Sequence, residues 1–224
     1  RRAPAQKNPL DFCLYVSFFP KMISGPIVEY AHIAPQLKEH PVTLDKVSDA
    51  VPMLVLGLAK KVLLADNLGT AFQSISALSS GSLSGGSAWL GAIFYSLQLY
   101  FDFSGYSDMA IGMAKLFGFD FEANFDHPYL SGSLTEFWRR WHISLGRWFR
   151  DYVYIPLGGS RVSTAKCVRN LLIVWILTGL WHGASWTFAA WGLYHGILLL
   201  LEKYPLKGVL EKTPSPIRHI LTLL

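Results

Sequence analysis

The chain has 224 residues, 51% of them hydrophobic and only 16% charged, with a mean hydropathy of +0.30. Soluble domains carry about 25% charged residues, so the composition argues against an ordinary soluble enzyme and for a membrane protein. The net charge is +5, yet the basic residues sit among tryptophans in an otherwise lipid-like chain, which makes nucleic acid a poor partner.

The chain starts at Arg1 with no charged-then-apolar leader, and it stops at "IRHILTLL" as an apolar run begins. It therefore reads as an internal piece of a longer protein. Residues 10–30 are apolar but interrupted by Pro20, Lys21, Gly25 and Pro26. Such a stretch suits a kinked or re-entrant segment rather than a straight spanning helix. Residues 47–65 form the next apolar segment, with the Lys60–Lys61 pair expected to snorkel to the cytoplasmic interface. The stretch "SALSSGSLSGGS" (76–87) reads as a flexible outer loop. A Gly- and Ser-rich helix follows from Ala88, able to pack closely on its neighbours.

In residues 131–152, Ser133 and Glu136 mark a helix start. Trp138, Trp141, Leu145, Trp148, Phe149 and Tyr152 share one helical face, and Arg139, Arg140, Arg147 and Arg150 the other. The spacing predicts one amphipathic helix lying in the membrane interface, with His142 at the edge of its aromatic face. "PLGGSR" (156–161) is a turn. The basic cluster from Arg139 to Arg169 marks a cytoplasmic side and suits anionic headgroups or a phosphorylated cosubstrate.

Residues 170–201 contain no Asp, Glu, Lys or Arg. As one helix they would be about 48 Å long, against a hydrocarbon core of about 30 Å. Basic residues flank both ends, so the segment is expected to enter and return, breaking at "HGAS" (182–185). His182 then sits at the tip of a hairpin, deep in the protein.

Polar groups inside a membrane are costly and concentrate at functional sites, which singles out His182. Asp102 and Asp108 are the other intramembrane candidates, with ion pairing as their simpler role. His195 reads as a structural residue on an apolar helix. Cys13 and Cys167 form no C-x-x-C, and no metal-ligand pattern, nucleophile elbow or phosphate loop is present. What remains is general-base chemistry built on histidine at a buried site. A transporter without chemistry would also explain buried polar groups and broken helices.

The motifs "LYVSFFPKMISGPIVEY", "YFDFSGYSDMAIGMAKLFGF", "NFDHPYL", "EFWRRWHISLGRWFRDYVYIPLGGSR" and "GLWHGASWTFAAWGLYHG" resemble the membrane-bound O-acyltransferase family. The resemblance implies an all-α, polytopic membrane fold, a ring of tilted and re-entrant helices around a central tunnel, of which residues 1–224 are a single partial domain. It implies residence in the bacterial inner membrane. It also implies transfer of an acetyl group from a cytoplasmic thioester, acetyl-CoA, to an extracytoplasmic polysaccharide such as alginate, with help from extracytoplasmic partner proteins. D-alanyl or other acyl transfer to a cell-wall polymer is the alternative. No resident cofactor or metal is expected. The family's invariant histidine falls on His182 and its second polar position on His142. Asp102, Asp108, Arg139, Arg140, Trp141 and Trp181 are the expected substrate-binding residues.

Overall fold

The computed structural model describes residues 4–79 and 81–223, whose regular elements are all helical, with no strand among them. The chain forms two compact units, Arg1–Asn124 and Phe125–Leu224.

In the first unit, α1 (Pro9–Ser17) is capped by the Asn8 side chain, which accepts from Leu10 N. It ends before Pro20, and a single 3-10 turn, Phe19–Lys21, leads to α2 (Tyr30–Lys38). The interruptions read from the sequence thus do break the segment, because proline cannot donate the next helical hydrogen bond. Thr43 caps α3 (Leu44–Ala59), which runs through a π-helical turn, Lys60–Ala65, into α4 (Asp66–Ser76). α5 (Gly85–Leu116) is 32 residues long and starts at the Ser84 cap. Ser80, within the expected loop, lies outside the described residues.

α5 packs antiparallel on α3 at a distance only small residues allow. A β-carbon on Gly57 would lie 2.6 Å from the Gly105 carbonyl oxygen, and one on Gly105 would lie 2.7 Å from that of Gly57. The close seam expected of this Gly-rich helix is therefore present. Lys60 and Lys61, the pair expected to snorkel, form ion pairs with aspartates of α5: Lys60–Asp108 is 2.6 Å and Lys61–Asp102 is 2.7 Å. The core of this unit gathers Phe18, Val28, Ile33 and Leu37 around Ile111, Ala114, Phe119 and Phe121.

The second unit holds α6 (Leu134–Arg140), α7 (Ile143–Phe149), a π-helical turn (Arg150–Tyr154), α8 (Thr164–His182), α9 (Trp186–Lys203), α10 (Lys207–Lys212) and α11 (Ser215–Leu223). α8 and α9 form the expected hairpin, broken at the Gly-Ala-Ser after His182. Their 19 and 18 residues rise about 28 and 27 Å at about 1.5 Å each. Glycines set the contact here too. A β-carbon on Gly179 would meet the Phe188 carbonyl oxygen at 2.2 Å, and one on Gly192 would meet that of Trp175 at 2.2 Å. At the hairpin base, Lys203 Nζ donates to Cys167 Sγ over 3.1 Å. Fully buried Asn170 donates to the carbonyls of Leu157 and Gly159, tying the PLGGSR turn to α8.

Among the described residues no helix is both long and apolar enough to cross a membrane. Several helices nevertheless expose apolar stripes at helical spacing: Val51, Val55, Leu58 and Val62 along α3 and its π turn, and Leu193, Ile197 and Leu201 on α9.

Candidate functional site

The expected single helix across 131–152 is broken in two at His142. Its first turn forms as read. Ser133 Oγ accepts from Glu136 N, while Glu136 Oε2 accepts from Gly132 N. The helix then stops, because His142 takes the left-handed conformation, with φ +47° and ψ +54°. Phe137 O accepts from Trp141 N, and Asp126 N caps the Arg140 carbonyl at 2.9 Å. The ring of His142 is 6% exposed, and its centroid lies 5.8 Å from that of Trp181. A left-handed residue with a β-carbon is uncommon and collects at functional sites.

His182 is the last residue of α8. Its ring sits against Trp181 at 5.0 Å, Trp191 at 5.2 Å and Phe188 at 6.3 Å between centroids. The sequence places this ring in the interior, whereas the structure leaves it exposed at the hairpin tip. The reason is that its aromatic neighbours come from the hairpin itself and cover one side only.

Both histidines line one cavity of 1060 Å³ within the second unit. On α8 its wall runs from His182 through Thr178, Trp175 and Val174 to Leu171, a rise of about 16 Å. Near the base of the hairpin it is bounded by Lys203, Tyr204, Lys207 and Arg218 together with the carboxylates of Glu202 and Glu211, with Arg139 and Arg150 also in its wall. Arg218 Nε is buried with no hydrogen-bond partner among the described residues. Cys167, below the apolar span, is pulled down to about 7 by its hydrogen bond with Tyr154, with Tyr204 and Lys203 adding to the effect. The site thus has a tip of two imidazoles, an apolar middle and a charged base in which the cations Lys203, Lys207 and Arg218 outnumber the carboxylates Glu202 and Glu211.

The sequence profile of the MBOAT, membrane-bound O-acyltransferase, family matches residues 3–213. The chain belongs to this family. It is 47% identical to the "Probable alginate O-acetylase AlgI" of Azotobacter vinelandii, over 99% of this chain and 44% of that protein. It is 45% identical to the peptidoglycan O-acetyltransferase of Helicobacter pylori, over 87% of this chain and 37% of the relative. It is 31% identical to the teichoic acid D-alanyltransferase of Streptococcus thermophilus, over 86% and 49% respectively. The chain spans less than half the length of these relatives.

In this member of the family, the eight residues singled out by sequence divide three ways. His182, His142, Arg139 and Trp141 line the cavity. Trp181 touches both histidines without lining it, and Arg140 is held by Glu136 at 2.7 Å. Asp102 and Asp108 belong to the first unit and pair with lysines, the simpler role weighed for them.

Sequence reasoning missed the cationic base, Lys203, Lys207 and Arg218, and it missed Glu202. The carboxylate of Glu202 accepts from Leu134 N at 2.7 Å, from Thr135 N at 3.1 Å and from the Thr135 hydroxyl. The only signal available was that Glu202 is the first charge after the uncharged run. His195 behaves as read, packed among Trp138, Trp175 and Trp191.

Proposed function

We propose that this chain is the catalytic part of a membrane O-acyltransferase that moves an acetyl group from acetyl-CoA to a hydroxyl of an extracytoplasmic polysaccharide such as alginate. One observation carries the reading. Two histidines from separate segments line a single cavity whose far end is cationic, in a chain of an O-acyltransferase family.

The cavity suits a thioester on a long arm with phosphates at its other end. Arg218, Lys203 and Lys207 offer positive charge at the base, where an anion would also satisfy the buried guanidinium nitrogen. The arm would run along Leu171, Val174 and Trp175 and bring its carbonyl to the tip. There the His182 imidazole accepts the proton of the acceptor hydroxyl as its oxygen attacks the thioester carbon. The carbon–sulfur bond then breaks, and the thiolate leaves and takes up a proton. His142 orients the donor or steadies the charge on the carbonyl oxygen. General-base catalysis of this kind contributes about 10²–10⁴-fold.

The exposed apolar stripes of α3 and α9 support insertion in the inner membrane, with the cavity as one part of a tunnel through a ring of helices. The relatives named for alginate, peptidoglycan and teichoic acid support a polymer acceptor. Final transfer is assigned to an extracytoplasmic partner, as the family resemblance implies.

The test is acetyl transfer in membranes containing the full-length protein, with accumulation matched by immunoblot. His182→Gln keeps size and some hydrogen bonding but cannot act as the base, so transfer is expected to fall about 10²-fold or more. Near-wild-type transfer by His182→Gln would make the histidine a packing residue and sink the mechanism.

A further inference from the structure

Helix α6 carries Trp138 and Arg139 into the cavity wall and leads directly into His142, yet it is only seven residues long. A helix this short is marginal alone, and its first backbone N–H groups have no partners within it. Here all of the leading donors are accounted for. Leu134 N and Thr135 N donate to Glu202, Glu136 N donates to Ser133 Oγ, and Phe137 N donates to Ser133 O. Glu202 is the only member of this set that comes from another helix. It lies at the base of α9, 67 or 68 positions along the chain from its partners. A carboxylate also meets the positive end of the helix dipole there.

We infer that Glu202 is a positioning residue of the active site: its carboxylate clamps the start of α6 to α9 and so fixes His142 against the hairpin that carries His182. The inference rests on the catalytic reading above. Glu202 stands in the cavity wall at its base, 16 residues beyond Trp186 at the start of α9 and so about 24 Å from the tip, and it acts through α6 rather than on the reacting atoms. Misplacing a group near the chemistry by about 1 Å costs on the order of 10²-fold in rate. That loss falls on turnover, because the relation of His142 to His182 matters in the transition state more than in donor binding.

The experiment uses the full-length protein with its other cysteines replaced. A Ser131→Cys probe replaces a residue that is itself fully buried, just before α6. Maleimide labelling of that probe and acyl-transfer kinetics are measured with Glu202→Ala, Glu202→Gln and Thr135→Val. Glutamine keeps the size but turns an N–H₂ toward N–H donors, so it must lose at least one bond. The expected result for both Glu202 variants is labelling about tenfold faster, with kcat down roughly 10–100-fold and donor KM within about threefold. Thr135→Val, which loses one of the three bonds, is expected to fall between these and wild type. Should Glu202→Ala fail to accumulate, Glu202→Gln and Thr135→Val decide the matter.

Unchanged labelling in the Glu202 variants overturns the clamp, whatever the activity. Faster labelling with wild-type kcat overturns the positioning role, and so does a raised donor KM at unchanged kcat. If the wild-type protein transfers no acyl group, the functional reading fails, while the labelling arm still judges the clamp by itself.

Discussion

His142 holds a left-handed backbone conformation that costs a residue with a β-carbon about 1–2 kcal/mol and that glycine adopts without penalty. The residue is therefore kept for its ring and not for its backbone. His142→Gly relieves that backbone cost but empties a buried ring site, so the melting temperature is expected to change by only a few degrees, while transfer per folded molecule falls about tenfold or more. His142→Asn, whose side chain also tolerates this conformation, is expected to be as stable and impaired as well. Circular-dichroism melts beside transfer assays check both variants, and full activity in His142→Gly would remove the imidazole from the mechanism. At this scale the sequence was partly legible. His182 stood out as a polar group in an uncharged run, whereas His142, Arg139 and Trp141 came from the family resemblance, and all four line the cavity. Glu202 and Arg218 were not legible. The partners of Glu202 are backbone N–H groups far along the chain, and backbone donors leave no mark in a sequence.

Helices here meet at glycine, and their stability hangs on atoms that are absent. A β-carbon on Gly179 has nowhere to go, since the Phe188 carbonyl oxygen is 2.2 Å away and belongs to the backbone. Gly179→Ala is expected to force the two arms of the hairpin apart and lower stability by about 1–3 kcal/mol or more. Gly86→Ala, where the nearest atom is 3.8 Å away, is expected to be neutral. Thermal denaturation of the purified protein in detergent distinguishes the two, and equal melting points would refute the tight seam. The hairpin itself was legible from length and flanking charge alone. The break at His142 was not, because the aromatic periodicity from Trp138 to Tyr152 runs straight through it. The helix is interrupted by one residue's dihedral angles, fixed by a cap from Asp126 that periodicity does not register.

For the whole molecule, the hairpin puts the two ends of the uncharged run together, with Cys167 and Lys203 in contact. Lys166→Cys and Lys207→Cys should thus be labelled by an impermeant maleimide from the same side of the membrane, and labelling from opposite sides would rule out the entering-and-returning path. Because the glycines of one arm match backbone positions of the other, neither arm can change length without the other. One inserted residue would turn everything beyond it by about 100° and advance it by about 1.5 Å. It would swing His182 off the cavity wall and set glycine against side chain along the rest of the seam. The His182 ring is therefore held at a fixed depth. Two arms of nearly equal rise act as a gauge between the charged base and the imidazole at the tip, and drift in loop length elsewhere leaves that distance untouched.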